Sequence, residues 1–541
     1  MSERKFSSMN LDHLGLVAGM YDELEIGKQI DTLIPQDFDQ RNISVGTAVK
    51  GMVLNCLGFV NRQLYLVSSF FENKPIDRLF DPSVKSTHFN DDVLGRALDA
   101  LYDANPTTLY SHLANHASEK LGLSSHLAHL DSTSFHVDGK YIDPKYDSDD
   151  ESVIHITQGY SRDHRPDLKQ FVLNLIVENK AGIPLLMDVG DGNKIDKNDF
   201  PKLIEAHAAS LQNVHDIKFF VADSALYSQK NILQIANIPW ITRVPETIKS
   251  AKEVIATLDP EMMEPYHEND NYRFASLCST YGGVNQRWLV VYSADAYKRT
   301  VKTAIKNVAK KSEQEFKAFQ KLTKKKYSCP SDCQKAGDDF LKSCKYITMT
   351  PMVEKIQAYT SKGVLTKKSQ DNPDYRITGN PVMNLTTMES IVNKKGYFIL
   401  ATNDLFWDNL SDTELFQAYK GQSKVEKGFR FLKDPDLLVS AIYLKSPKRI
   451  EALLMVMTLC LMVYAALEHR LRNELKTSNT LVPNQVGKMI RNPTMKWIFH
   501  SFHGIHVLLM NDSKYQQILN TKDIHYTILK LLKGNYEQYY Q

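Results

Sequence analysis

The run Tyr419-Lys-Gly-Gln422-Ser-Lys-Val-Glu426-Lys427-Gly-Phe-Arg430-Phe-Leu-Lys433 sets one acid among polar and basic side chains. At about 3.6 residues per turn, Tyr419, Gln422, Glu426, Arg430 and Lys433 fall on one face of a helix. A single carboxylate among such neighbours suits metal-dependent phosphoryl transfer, whereas the bland reading is a solvated charged face. Two upstream aspartates decide between them. Asp131 follows the stretch His126-Leu-Ala-His129-Leu and precedes the turn signal Asp138-Gly139, which sets it inside a strand. Asp223 closes the apolar stretch Ile217 to Ala222, with Ser228 beyond it able to cap the next helix. An acid at the C-terminal end of a strand is a common site position in α/β sheets. Either aspartate alone reads as a turn or cap residue; the three acids together do not.

Asp in a strand, Asp at a strand end and Glu on a late helix, in that order, resemble the DDE transposases with an RNase H-like fold. Tyr419, Gln422, Glu426 and Lys433 are similar to the Tyr-Arg-Glu-Lys signature of the IS-four superfamily, with its spacings kept. Gln422 departs from that signature, which has arginine there, and so lacks a charged phosphate clamp. Leu-Gly-Leu-Val-Ala-Gly near residue 14, Leu-Gly-Phe-Val-Asn-Arg near 57, His-Phe-Asn-Asp-Asp-Val-Leu-Gly-Arg at 88 and Ser161-Arg-Asp-His-Arg-Pro-Asp-Leu-Lys-Gln170 resemble the IS-sixteen-thirty-four branch. The resemblance spans residues 12 to 470. It implies an insertion-sequence transposase that cuts at its element's ends and joins them to target DNA, water attacking first and a DNA 3′-hydroxyl afterwards. The rival reading is a domesticated or inactive DNA-binding derivative, against which all three acids stand intact. A resolving nuclease on the same fold is a third, disfavoured by the long insert and the Tyr-Glu-Lys helix.

Carboxylate oxygens are the donors that Mg²⁺ and Mn²⁺ prefer. Two such cations about 3.5–4 Å apart can activate an attacking oxygen and stabilise a leaving one, so no nucleophilic side chain is needed. Asp131, Asp223 and Glu426 are therefore the expected ligands of two Mg²⁺ ions, with Mn²⁺ able to substitute. Tyr419, Gln422, Lys427, Arg430 and Lys433 are the expected DNA contacts.

The elements that must position these groups follow from periodicity. Residues 1–122 read as a helical domain for end binding or dimerisation, with apolar spacing over Leu14 to Ile34, Val45 to Phe71 and Asp91 to Leu101 and a cap at Asn90. Residues 123–248 hold strands at Leu127 to Val137, Phe171 to Glu178 and Ile183 to Val189, a helix from Lys197 to Leu211, a strand to Ala222, a helix after Ser228 and a strand from Trp240 to Val244. This is the order of an RNase H-like core, whose second part, 410–470, carries Glu426. Between Asp223 and Glu426 lie 202 residues, against 91 between the two aspartates, so the core is interrupted by a mixed β/α insertion domain, 249–409. The insertion opens with a hairpin around Gly282-Gly283, continues with a lysine-rich helical stretch and returns through a strand from Tyr397 to Thr402. Related transposases use such an insert to hold DNA and stack an aromatic on a flipped base; by position Trp288 is the candidate for that aromatic, although most hairpin tryptophans are packing residues. Residues 471–541 read as a helical tail. The fold class is α/β.

Composition agrees. The chain has 541 residues, 43% of them apolar, enough for several cores. Net charge is only +3, from 66 basic and 63 acidic residues, which excludes a generic polycation. Basic charge is local: Tyr297 to Tyr327 holds 11 Lys or Arg against 2 Glu, a surface that can release counterions on binding phosphates. Six scattered cysteines show no disulfide framework and fit a reducing compartment; Cys329, Cys333 and Cys344 are too irregular for a zinc site. Ala452 to Leu467 is an uncharged run of 16 residues, short for a span and read as a buried helix, so no membrane partner is expected. A glycine-rich phosphate loop is absent, so no ATP is implied. His129 and His136 lie on opposite faces of their strand, and only His129 can support Asp131. The expected setting is the cytoplasm of a prokaryote, at the nucleoid, with a homodimer on terminal inverted repeats and target DNA.

Overall fold

The structure, a computed structural model, describes residues 6–35, 41–59, 66–137, 141, 153–161, 165–357, 359, 363, 365–367, 373–434, 444–510 and 515–541. The Asp138-Gly139 turn, residues 60–62 of the second branch motif and residues 162–164 of the last lie outside them. The chain divides into two compact units, one of residues 1–242, 280–286 and 402–541 and the other of 243–279 and 287–401.

In the first unit a mixed sheet holds β1 (Leu127–Val137), β2 (Lys169–Glu178), β3 (Pro184–Gly190), β4 (Phe219–Ala222) and β5 (Trp240–Val244), ordered β3-β2-β1-β4-β5. The first three are antiparallel neighbours, with Asp131 opposite Leu175, whereas β4 runs parallel to both β1 and β5. Helix α1 (Asp196–His215) makes the crossover from β3 to β4. β1 is buried along nearly its whole length, and Asp131 is one of its few half-exposed residues. A carboxylate in a strand this buried is kept only at some cost, which points to use rather than packing.

Helices Val45–Leu57 and Asp91–Asp103 start where Ser44 and Asn90 accept the amide of the third residue on. The long N-terminal helix expected to Ile34 breaks at Glu25, whose φ of 52° ends Leu14–Glu23 before Ile26–Leu33 begins. These helices share one continuous apolar core with β2 and β3, with α3 (Ser423–Leu432), which follows α2 (Asp412–Gly421) in the chain, and with α4 (Pro447–Thr477). Among the described residues α4 alone is long and apolar enough to cross a membrane, and 89% of its apolar window is buried inside the protein.

The C-terminal segment is not simply helical. Strands His506–Met510 and Tyr515–Leu519 pair antiparallel, and the first also pairs with Phe6–Asn10. The chain then closes on its first helix. Cβ atoms added at Gly15 and Gly19 would come within 2.6 Å of the Tyr540 and Tyr536 rings, and Tyr536 and Tyr539 donate to Glu23 (2.7 Å) and Asp22 (2.6 Å).

The hairpin strands Tyr272–Tyr281 and Val284–Ser293, with Tyr397–Thr402 alongside, fall in the second unit except for residues 280–286 and Thr402, which are counted with the first. Gly282 and Gly283, at φ 61° and 78°, make its turn, the conformation a two-residue hairpin loop requires. Beyond lie the 29-residue helix Ala294–Leu322 and helix Pro330–Ser343, the latter packed on the two-stranded ribbon Met352–Ile356 with Asp374–Thr378.

Candidate active site

The parallel register of β1 and β4 pairs Leu130 with Ala222. Asp131 and Asp223 are the next residue on each strand, so the two carboxylates leave neighbouring strands side by side, roughly 5 Å apart at the backbone. Asp131 Oδ1 accepts the amide of Ser132 at 2.8 Å, and Asp223 Oδ1 accepts that of Ala225 at 2.9 Å. Thr242 Oγ1 on β5 donates to the Asp223 carbonyl at 2.6 Å, fixing the strand end from the other side.

Glu426 arrives on α3, which packs on β1 and β2 through Val425, Phe429 and Leu432. The expected single helix is two, meeting at Gln422, whose φ and ψ of −52° and −29° keep the path nearly continuous. Each step of four residues overshoots a full turn by about 40°. The face read from sequence therefore drifts outward: Gln422 is 7% exposed, while Glu426 and Arg430 are open to solvent. Gln422 consequently departs from its expected place on a DNA surface. Its Nε2 donates to the Leu130 carbonyl at 2.8 Å and its Oε1 lies 3.2 Å from His129 Nδ1.

His129 is fully buried, and burial lowers its pKa to about 4, so the ring is neutral and donates a single N–H. Its Nε2 is 2.9 Å from the Asn179 side chain. Asn179 sits in the β2–β3 turn, which the buried Glu178 carboxylate organises by accepting the amides of Lys180, Ala181, Gly182 and Ile183. Gly421 is what lets the helix come this close: a Cβ there would meet Asn179 Oδ1 at 2.4 Å and His129 at 2.7 Å. Sequence reading had named His129 as support for Asp131. It missed Asn179 and the use of Gly421, because neither stands in a recognisable local pattern.

At the other end of α3, Lys433 forms the C-cap, and its Nζ lies 5.7 Å from the Phe135 ring centre on β1. The helix thus touches β1 at Leu130 and again at Phe135, over about 16 Å of helix rise. Lys427 is exposed on α3 and Tyr419 is half-buried on α2. Trp288, by contrast, is fully buried in the second unit and has no open ring face for a base, so it is a packing residue.

The three acids are all-oxygen donors and fit hard divalent cations by chemistry. Their side chains are not drawn into one ligand sphere: among the described residues no three His, Cys, Asp or Glu groups are spaced to hold an ion. Three like charges repel, which favours this spread arrangement of the carboxylates by themselves.

Residues 127–463 match the family model described as the transposase DDE domain, a span that takes in all three acids and more than half of the chain. The chain therefore belongs to that family and is a DDE transposase. Residues 6–115 match a domain of unknown function, DUF4277. Among solved structures the chain is similar to a piggyBac transposase determined by cryo-EM as a synaptic complex with hairpin DNA, at 9% identity over 93% of this chain and 83% of that one; the TM-score of 0.35 is too low to bear on the site. No relative is found among curated proteins.

Proposed function

We propose that this transposase cuts both strands at the ends of an insertion sequence and transfers the freed 3′ ends into target DNA, with Asp131, Asp223 and Glu426 as the ligands of two Mg²⁺ ions that Mn²⁺ can replace. The reading is carried by the side-by-side departure of Asp131 and Asp223 from parallel strands, beneath a helix bonded to one of them. Three antiparallel strands followed by two parallel ones, with α1 between, support an RNase H-like core. With the spacing of Tyr419, Glu426 and Lys433, this supports a place in the IS-four superfamily near the IS-sixteen-thirty-four branch.

When bound, the cations would supply charge neutralisation at the attacked phosphate and acidify the attacking hydroxyl. The protein's own groups do the placing. Backbone amides fix the rotamers of Asp131 and Asp223. Glu426, on the solvent-facing rim of α3, closes the set from above the strand. Arg430 and Lys427, exposed on the same helix, with Tyr419 and Lys433 flanking it, hold phosphates next to the scissile one. The partners are terminal inverted repeats and target DNA, met by two copies of the chain in the cytoplasm at the nucleoid.

The test is Glu426→Gln on DNA carrying the element's ends. Mg²⁺-dependent nicking should fall to background while end binding stays within about twofold, because phosphate and base contacts elsewhere carry recognition. A folded variant that loses binding in step with nicking would make Glu426 a structural residue and sink the assignment.

A further inference from the structure

The turn that carries Asp223 is gripped at both ends. Inside it the Leu226 amide donates to the Asp223 carbonyl at 3.3 Å and the Tyr227 amide to that of Ser224 at 3.2 Å, before Ser228 caps helix Gln229–Gln234. Those bonds are local and tie the turn to no other element. Thr242 Oγ1 on β5 secures the near end through the Asp223 carbonyl. The far end is Tyr227, buried four residues beyond Asp223, and its side chain meets the hairpin tip, residues 280–286, which belongs to the same compact unit. Its hydroxyl donates to Gln286 Oε1 at 2.8 Å, and its ring stacks on that of Tyr281 with centroids 4.8 Å apart and 14° between planes. Trp240 of β5 stands edge-on to the same ring at 6.4 Å. Gln286 is itself fully buried, and its Nε2 donates to the Tyr281 carbonyl at 3.2 Å, so one amide joins the hydroxyl to the backbone of the tip. At the crown, a Cβ on Gly282 would stand 2.9 Å from the Gln229 carbonyl oxygen, which sets the tip directly on the first residue of the helix that follows the turn.

We propose that Gln286 and Tyr281 are positioning residues for Asp223, acting through Tyr227 to fix the turn and with it the direction in which the carboxylate leaves the end of β4. The inference rests on the reading of Asp223 as an ion ligand, and it gives the hairpin tip a task other than contact with DNA. A buried hydroxyl and a buried amide are costly unless they are bonded, and apolar side chains of similar shape would fill the same space without that cost. What the directed bonds add is a single orientation. Groups that orient a metal ligand from behind typically contribute about 10–100-fold to metal affinity or activity, and a grip exerted through four residues of backbone belongs at the lower end of that range.

The experiment titrates Mn²⁺ alone into the full chain and reads the free ion by its paramagnetic resonance. Tyr227→Phe removes one hydroxyl and keeps the ring stack, so the thermal midpoint should fall by no more than about 4 °C. Mn²⁺ affinity should nevertheless fall about tenfold, and likewise in Gln286→Leu, with the Mg²⁺ concentration for half-maximal nicking rising in step. On an Asp223→Asn background neither change should weaken Mn²⁺ binding further, because both act through that carboxylate. Thr280, exposed on the same tip and bonded to Asn285 at 2.9 Å, supplies the control: Thr280→Ala should bind Mn²⁺ as wild type does. Should Gln286→Leu fail to fold, Tyr227→Phe decides. Wild-type Mn²⁺ affinity in folded Tyr227→Phe overturns the proposal, and so does a tenfold loss that persists on top of Asp223→Asn. Asp223→Asn that itself binds Mn²⁺ as wild type does is a different failure, which defeats the ligand assignment and takes this inference with it.

Discussion

The side-chain amide of Gln422 donates to the carbonyl of Leu130 across 2.8 Å, joining the residue before Asp131 to the residue one turn before Glu426. One neutral side chain therefore sets the distance between the backbone of one acid and the helix of another. His129, kept neutral by burial, completes the lock with its Nδ1 3.2 Å from the same amide.

Restoring the signature charge should damage this lock rather than add a phosphate contact. Gln422→Arg places a guanidinium at a site 7% exposed, beside a neutral imidazole. A loss of about 2–4 kcal/mol is expected, seen as a lower thermal midpoint, with the salt slope of DNA binding unchanged. A steeper slope at an unchanged midpoint would return residue 422 to the DNA face.

Gly421→Ala tests the close approach itself. Its Cβ would stand 2.4 Å from Asn179 Oδ1, so the helix or the turn must shift, at a cost of about 1–3 kcal/mol. Because the shift separates Glu426 from Asp131, nicking should fall by more than end binding does. Adding Asn179→Ala should recover part of the activity; equal losses of binding and nicking would contradict the mechanism.

Trp288→Ala should behave as a core truncation. Removing a fully buried indole costs about 3–5 kcal/mol, so the thermal midpoint should drop sharply. Below that midpoint DNA affinity should match wild type, and a selective loss of hairpin-DNA binding would reinstate a stacking role.

Glu451 gives the protein a pH signature. Burial, with Asp188 nearby, lifts its carboxyl from an ordinary 4.5 to about 7, against the opposing pull of Lys194. The folded state then keeps this proton to higher pH than the unfolded state does, so stability present below pH 4.5 is lost between there and pH 7. The loss is on the order of 3 kcal/mol. Glu451→Gln should raise the thermal midpoint at pH 8 and leave it nearly unchanged near pH 4.5; an equal change at both would remove the carboxyl as the cause.

Much of the framework is legible in the chain because local chemistry writes it. Strand β1 reads from its mixed apolar and polar run ahead of Asp138-Gly139, and Asn90 and Ser228 cap helices from their side chains, accepting amides of Val93 (3.0 Å) and Asn231 (3.4 Å). What stays hidden depends on partners far along the chain. The break at Gln422 needs Leu130, 292 residues away. The strand Phe6–Asn10 has no alternation of its own and is made by pairing with His506–Met510. Whether Trp288 packs or stacks on a base is decided only by the burial of its strand. A helical period names a face, but only packing decides how far that face rotates into the core, as Gln422 and Glu426 divide between them.

The tyrosines at 536, 539 and 540 impose an order in time. At about 5–20 residues per second, a ribosome needs roughly half a minute to two minutes to deliver them after the first helix has emerged. Through that interval the grooves at Gly15 and Gly19 stand open, and the strand Phe6–Asn10 lacks its partner. The first unit is therefore sealed only once residues 536–540 have been made, and a transcript cut short before them yields a chain whose core is open at Gly15 and Gly19.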